Sequence, residues 1–202
     1  MGVPVLILGK SGSGKTYSIK NLDPNRVGIF SVEKSRLPFK KEFKVAKNAT
    51  YGMIMKALRT PTLDTYIIDD SQYLLVNEFF DRAKETGYQK FTDIALNFRN
   101  LIHWINRSVP DNVIVYFLHH TEVDTDGNIK AKTIGKMLDE KLTVEGCFDV
   151  VLMADVEGQE HFFWTQTDGT SAVKSPEGMF EETKIPNDLS VVDMSIRNYW
   201  NL

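Results

Sequence analysis

The sequence of 202 residues is long enough for one domain with a sizeable hydrophobic core. Its hydrophobic fraction of 42% and charged fraction of 25% are typical of a soluble globular protein, and its net charge of −3 excludes a surface that is basic throughout. A single cysteine, Cys147, excludes an internal disulfide bond. Because the sequence has neither a long apolar stretch nor a charged leader, we expect a cytoplasmic protein that does not cross a membrane.

Apolar runs alternate with amphipathic segments along the chain. Four runs predict strands that are buried on both faces, as in a parallel sheet: VPVLIL, RVGIFSVE, TYIIDD and DNVIVYFLHH. We expect a short helix through Ile19 after the first strand, a helix over YGMIMKALRT, and two helices after the third strand. The last of these helices has one apolar face, made of Ile94, Ala95, Phe98, Leu101, Ile102 and Ile105.

The remaining elements complete a three-layer pattern. The segment after the fourth strand contains an Asp-Gly turn and is then basic and partly amphipathic. The stretches CFDVVLMADVE and QEHFFWTQT predict a hairpin at the edge of the sheet, with its turn at Glu157-Gly158. The whole pattern predicts a single α/β domain over residues 1–202, with three layers and a mostly parallel sheet.

A glycine-rich loop follows the first strand and satisfies the P-loop pattern. Its glycines allow backbone N–H groups to turn inward around an anion, and the following helix adds the dipole of its N-terminus. In this pattern Lys15 reaches the β- and γ-phosphates, and the Thr16 hydroxyl binds Mg²⁺. The sequence therefore predicts a nucleotide site, with ATP and Mg²⁺ as ligands. The predicted nucleotide-binding residues are Gly9, Lys10, Ser11, Gly12, Ser13, Gly14, Lys15 and Thr16.

Titratable side chains stand at the carboxyl ends of the other predicted strands. These are Glu33, the pair Asp69-Asp70 and the pair His119-His120. Because ligands of parallel sheets bind at these ends, we expect the side chains to converge on the glycine-rich loop. We assign Asp69 to the Mg²⁺ site, since a carboxylate after an apolar strand is the usual partner of a P-loop. The alternative is that the Asp pair caps the next helix.

Four stretches resemble phage-encoded P-loop ATPases of the RecA/AAA superfamily, a group that includes RecA-like single-strand annealing proteins: LILGKSGSGKT, YIIDDSQYLLVNEF, KTIGKMLDEKLTVEG and KSPEGMF. They extend from Val3 to Phe180. The first is specific for the superfamily, and the other three are typical of a narrower phage group. The resemblance implies an ASCE-type core and Mg²⁺-dependent ATP hydrolysis. It also implies a role in handling single-stranded DNA during phage recombination or replication.

The resemblance also implies catalytic roles. Glu33 stands where RecA-like ATPases place the glutamate that activates water, and Asp70 stands where many AAA-type ATPases place a catalytic acid. We favour Glu33 as the base, and a solvated loop carboxylate is the alternative. His120 occupies the position of a residue that senses the γ-phosphate, or it merely caps the end of its strand.

Two basic segments are candidates for contact with single-stranded DNA. The first spans residues 34–47 and surrounds Phe39 and Phe43 with cations, a mixture that suits stacked bases and phosphates. Its cations are Lys34, Arg36, Lys40, Lys41, Lys44 and Lys47. The second segment contains Lys130, Lys132 and Lys136. The alternative for both is an ordinary solvated surface.

The late part of the chain departs from the RecA-type pattern. Hexameric motors of that type often carry a Lys or Arg finger that reaches the neighbour's nucleotide, but FFWTQTDGT has no cation. Lys174 or Lys136 is a possible substitute, so a homo-oligomer stays an open alternative. Two other functions are also open: a small-molecule or nucleoside kinase, and a nucleotide-dependent switch or assembly partner with slow hydrolysis.

Overall fold

The computed structural model describes residues 1–33, 36–135 and 142–202, and in these ranges nine strands form one sheet. The strands are β1 (Val3–Gly9), β2 (Val27–Ser31), β3 (Lys44–Lys47), β4 (Thr65–Asp69), β5 (Ile114–Val123), β6 (Ile129–Ala131), β7 (Val150–Glu157), β8 (Glu160–Trp164) and β9 (Lys184–Pro186). They lie in the order β3-β2-β4-β5-β1-β7-β8-β9, and β6 pairs with the end of β5.

The sheet is mostly parallel, which confirms the α/β prediction. Strand β1 pairs in parallel with β5 and β7, and the pairs β2–β3, β2–β4 and β4–β5 are parallel as well. Strand β5 lies between β1, which leads into the glycine-rich loop, and β4, which ends at Asp69. Strand β5 therefore separates the strand that leads into the glycine-rich loop from the strand that ends at Asp69, as in the ASCE-type core that the family resemblance implies.

Helices cover both faces of the sheet. They are α1 (Tyr51–Arg59), α2 (Tyr73–Asp81), α3 (Gln89–Ser108) and α4 (Leu189–Trp200), with 3-10 helices at Tyr17–Asn21 and Val144–Cys147. Buried side chains of α1, α2 and α3 pack on one face of the sheet, and those of α4 and the first 3-10 helix pack on the other. The predicted apolar face of α3 is buried throughout. None of the described helices combines the length and the hydropathy that a membrane-spanning segment needs.

Several elements differ from the sequence prediction. The helix after the glycine-rich loop is a five-residue 3-10 helix that ends at Asn21. The predicted hairpin forms between β7 and β8, but β9 pairs with the outer side of β8 and becomes the edge strand. Neither β9 nor α4 was predicted. Helix α4 does have apolar residues at helical spacing (Leu189, Val192 and Ile196) and begins after the capping carboxylate of Asp188.

A largely buried ionic network ties α4, which packs on one face of the sheet, to the amino ends of the strands. Asp193 accepts hydrogen bonds from Tyr116 (3.2 Å) and from Arg197 (2.7 Å). Arg197 also donates to the carbonyl oxygens of Asn112 and Asp64, each at 2.9 Å. The C-terminal helix is thereby joined to the starts of β4 and β5, and the opposite end of the sheet is left for the ligand.

Candidate functional site

The glycine-rich loop leaves β1 at Gly9 and lies against β7, β8 and the residue that follows β9. A Cβ atom at Gly9 would lie 2.4 Å from Ser13 Oγ and 2.8 Å from the carbonyl oxygen of Ala154. Gly14 has a φ of +98°, and a Cβ atom there would lie 2.3 Å from Asn187 Nδ2. A side chain at Gly9 would collide with the backbone of Ala154, and one at Gly14 would displace the Asn187 amide. Gly14 also has a left-handed backbone, which favours glycine.

The ammonium of Lys15 is folded back onto the loop. It donates to the carbonyl oxygens of Gly9 (2.7 Å) and Lys10 (2.9 Å), and the residue is 6% exposed. Burial lowers the pKa of Lys15 to about 8, against the opposite effect of the negative charges of Asp70 and Asp69. A phosphate group in the loop would supply this buried cation with the counter-charge that two neutral carbonyl groups do not.

Thr16, at the end of the loop, contacts Asp69, at the end of β4. Thr16 Oγ1 donates a 2.9 Å hydrogen bond to Asp69 Oδ1, and Asp69 is 1% exposed. Burial and the repulsion of Asp70 raise the pKa of Asp69 to about 6, although the bond from Thr16 and the charge of Lys15 act against that rise. The pair joins two motifs that lie 53 positions apart in the sequence.

The donor set of this pair fits Mg²⁺. Hydroxyl and carboxylate oxygens are the ligands that Mg²⁺ prefers, and the ion usually takes its other positions from water and from phosphate groups. In the described ranges no cluster of three or more His, Cys, Asp or Glu side chains forms a protein-only metal site. Thr16 and Asp69 would therefore hold a metal ion together with a phosphate ligand.

Asp70 and His120 bring the ends of β4 and β5 together. Asp70 has a left-handed backbone (φ +59°), and its Oδ1 lies 3.3 Å from His120 Nε2. The backbone N–H of His120 donates to Gln72 Oε1 at 3.0 Å. His120 therefore lies beside the acidic pair, where the sequence analysis placed it.

Glu33 follows β2 and lies half-buried in the same cleft. Its Oε1 accepts a 3.3 Å hydrogen bond from Asn77 of α2. The cleft has a volume of about 830 Å³ and is lined by Lys15, Thr16, Glu33, Asp70, His120 and the loop glycines Gly12 and Gly14, among others. Glu33, Asp70 and His120 thus share one cleft, whereas the neighbouring Asp69 and His119 are buried. The choice of Glu33 over Asp70 as the base stays a prediction.

Two residues that the sequence analysis missed hold the loop from its far side. His161 of β8 lies with Nδ1 3.0 Å from the carbonyl oxygen of Ser13, and Asn187 donates to the same oxygen at 3.2 Å. Because a carbonyl oxygen only accepts, His161 Nδ1 carries the proton. No local motif marks either residue, since their role depends on the return of β8 and β9 to the loop.

The first basic segment, residues 34–47, has buried aromatic and exposed charged parts. Phe39 and Phe43 pack against the core on the α4 side of the sheet, with their ring centroids 6.0 Å apart. The exposed cations are Arg36, Lys40, Lys44 and Lys47. Lys34 lies outside the described residues. The segment thus presents a basic surface, and its two aromatic side chains pack against the core. Its contact with DNA stays a prediction.

The described lysines of the second basic segment lie in different surroundings. Lys130 forms an ion pair with Glu122 (3.2 Å), whereas Lys132 lines the cleft of the glycine-rich loop. Lys136 lies outside the described residues. Lys174, the other candidate finger, is exposed, and its backbone pairs with Val151.

Together, the strand order, the buried lysine of the glycine-rich loop and the hydrogen bond from the loop threonine to a strand-end aspartate define a P-loop nucleotide-binding protein. A family model described as an AAA domain matches residues 1–177. The chain therefore belongs to the AAA-domain family, within the P-loop ATPase superfamily. No curated protein matches the sequence.

Proposed function

We propose that the protein binds ATP with Mg²⁺ in this cleft and hydrolyses it. The observation that carries the proposal is the 2.9 Å hydrogen bond between Thr16 and Asp69, beside the buried ammonium of Lys15. A metal-bound triphosphate matches this arrangement, because it brings negative charge to the lysine and a cation to the hydroxyl–carboxylate pair. Mg²⁺ held by Thr16 and Asp69 would supply charge neutralisation for the phosphates.

Residues of the chain itself position the phosphates and accept the proton of the attacking water. The inward N–H groups of the loop and the ammonium of Lys15 hold the phosphates. The 3-10 helix behind the loop is too short to add much of a dipole, so these groups carry most of the binding. Glu33 takes a proton from the attacking water, since the Asn77 amide orients its carboxylate without competing for that proton. Asp70 is the second candidate, but the imidazole of His120 already occupies one of its oxygens.

We also propose that ATP hydrolysis serves the handling of single-stranded DNA in phage recombination or replication. The sequence resemblance and the exposed cations Arg36, Lys40, Lys44 and Lys47 support this role. Because Phe39 and Phe43 pack against the core, we expect contact with phosphates more than stacking on bases. Binding of DNA should then weaken steeply as the salt concentration rises.

Steady-state hydrolysis of ATP with Mg²⁺, with and without single-stranded DNA, tests the proposal. We expect turnover that DNA stimulates and that the Lys15→Ala variant lacks. Slow turnover that DNA leaves unchanged would instead indicate a nucleotide-dependent switch. Transfer of phosphate to a nucleoside or another small acceptor would indicate a kinase.

A further inference from the structure

Lys132 lies in the nucleotide cleft although its segment resembles a DNA-contacting loop. It is exposed and lines the same cavity as Lys15, Asp70 and His120. Within the described ranges no carboxylate forms an ion pair with its ammonium. Lys130, two positions earlier, pairs with Glu122 at 3.2 Å and lines a different cavity. The ammonium of Lys130 is therefore paired with a carboxylate, whereas the ammonium of Lys132 faces the cleft of the glycine-rich loop.

The backbone of Lys132 is fixed at both of its polar groups. Its N–H donates to the carbonyl oxygen of His120 at 2.8 Å, and its own carbonyl oxygen accepts from His119 Nε2 at 2.8 Å. His119 is fully buried, and its Nδ1 lies 2.9 Å from Ser71 Oγ. Because the Lys132 carbonyl only accepts, Nε2 carries the proton. The single hydroxyl proton of Ser71 faces two acceptors, His119 Nδ1 and the carbonyl oxygen of Leu118 at 3.1 Å. His119 thus connects the end of β4 to Lys132.

The charges in the cleft call for a second cation near the terminal phosphate. A triphosphate held by Lys15 and the loop would extend into the cleft that Asp70 and His120 also line, at the ends of β4 and β5. On that side Asp69, Asp70 and Glu33 are carboxylates, and each adds repulsion against a triphosphate. Of the two lysines in the loop, Lys15 lines the cleft and opposes these carboxylates. Lys132 lines the same cleft as the carboxylates of Glu33 and Asp70.

We propose that Lys132 contacts the terminal phosphate of ATP within its own chain, and that His119 is the residue that positions it. This inference rests on the proposed function. It reassigns Lys132 from the DNA surface to the nucleotide site. It also makes a finger from a neighbouring chain unnecessary for charge neutralisation.

Equilibrium titrations with ATP and with ADP, both with Mg²⁺, test the role of Lys132. We expect Lys132→Ala to weaken ATP binding at least tenfold and to leave ADP binding unchanged, because ADP lacks the terminal phosphate. Turnover should fall roughly a hundredfold, and Lys132→Arg should restore most of it. Lys130→Ala is the matched control and should bind both nucleotides like the wild type.

Two outcomes would overturn the inference. Lys132→Ala could bind ATP as tightly as the wild type, or it could lose ATP and ADP affinity equally. Weakened DNA binding in both lysine variants with unchanged nucleotide binding would return the segment to a DNA surface. A wild-type protein that binds no ATP would instead refute the proposed function itself.

A pair of substitutions separates the two bonds of His119. His119→Gln keeps an N–H donor near the Lys132 carbonyl, and His119→Asn keeps an acceptor near Ser71 but is too short to reach Lys132. We expect the Asn variant to lose ATP binding selectively, like Lys132→Ala, and the Gln variant to retain most of it. Equal effects of the two variants on ATP and ADP would show a purely structural role for His119.

Discussion

Because His119 is buried in its neutral form, this residue should make the protein less stable in mild acid. Burial lowers the pKa of His119 from 6.5 to about 4. Between these values the unfolded chain binds a proton at this position and the folded chain does not, so a falling pH favours unfolding. The contribution of His119 is fully present above pH 6.5 and is lost as the pH falls towards 4.

The size of this contribution follows from the two pKa values. One pH unit corresponds to about 1.4 kcal/mol, so the interval from 6.5 to about 4 amounts to about 3 kcal/mol. Asp69 acts in the opposite direction, because its folded-state pKa of about 6 lies above its usual value of 3.8. The folded protein gains stability from Asp69 as the pH falls from about 6 to 3.8. The wild-type curve therefore contains both effects.

A comparison with His119→Gln isolates the histidine, since Asp69 is present in both proteins and glutamine does not titrate. Urea denaturation at a series of pH values from 7.5 to 4.5 gives the free energy of unfolding of each protein. The stability advantage of the wild type should shrink by about 2 to 3 kcal/mol across this range. A difference that stays constant with pH would show that His119 is not held neutral, and would refute the reasoning.

Three other predictions concern the loop, the base and the last helix. Gly14→Ala should weaken ATP binding at least tenfold more than Gly12→Ala, because both have a positive φ but only at Gly14 would a Cβ atom displace the Asn187 amide that holds the loop. Nucleotide titrations compare the two variants. Glu33→Gln should retain ATP binding and lower turnover roughly a hundredfold, and larger losses in Asp70→Asn would move the base to Asp70. Arg197→Met should cost about 3 kcal/mol of unfolding free energy in urea, because it leaves a buried carboxylate unpaired.

The sheet and the loop were predictable because their signals are local. Strands buried on both faces are continuous apolar runs, and β1, β4 and β5 are all of this kind. The loop needs glycine where its backbone is left-handed or crowded, and the lysine and threonine follow at fixed spacing. The convergence of Glu33, Asp70 and His120 then follows from the rule that parallel strands end at one edge.

The remaining parts of the site depend on contacts between distant segments. His161 and Asn187 reach the loop only because β8 and β9 fold back beside it. Lys132 enters the cleft through backbone bonds to the histidine pair at the end of β5. In the sequence these residues are a histidine in a hairpin, an amide after a proline and one lysine among several. Nothing in their immediate neighbourhood distinguishes them.

The proposed function depends above all on the binding of a nucleoside triphosphate by Lys15 and its loop. The most direct test is an equilibrium titration of the wild type and of Lys15→Ala with ATP in the presence of Mg²⁺, with circular dichroism to confirm that both are folded. We expect saturable binding by the wild type and a loss of roughly a hundredfold in the variant, which lacks the buried cation. Equal affinity of the two proteins would show that the loop is not a nucleotide site.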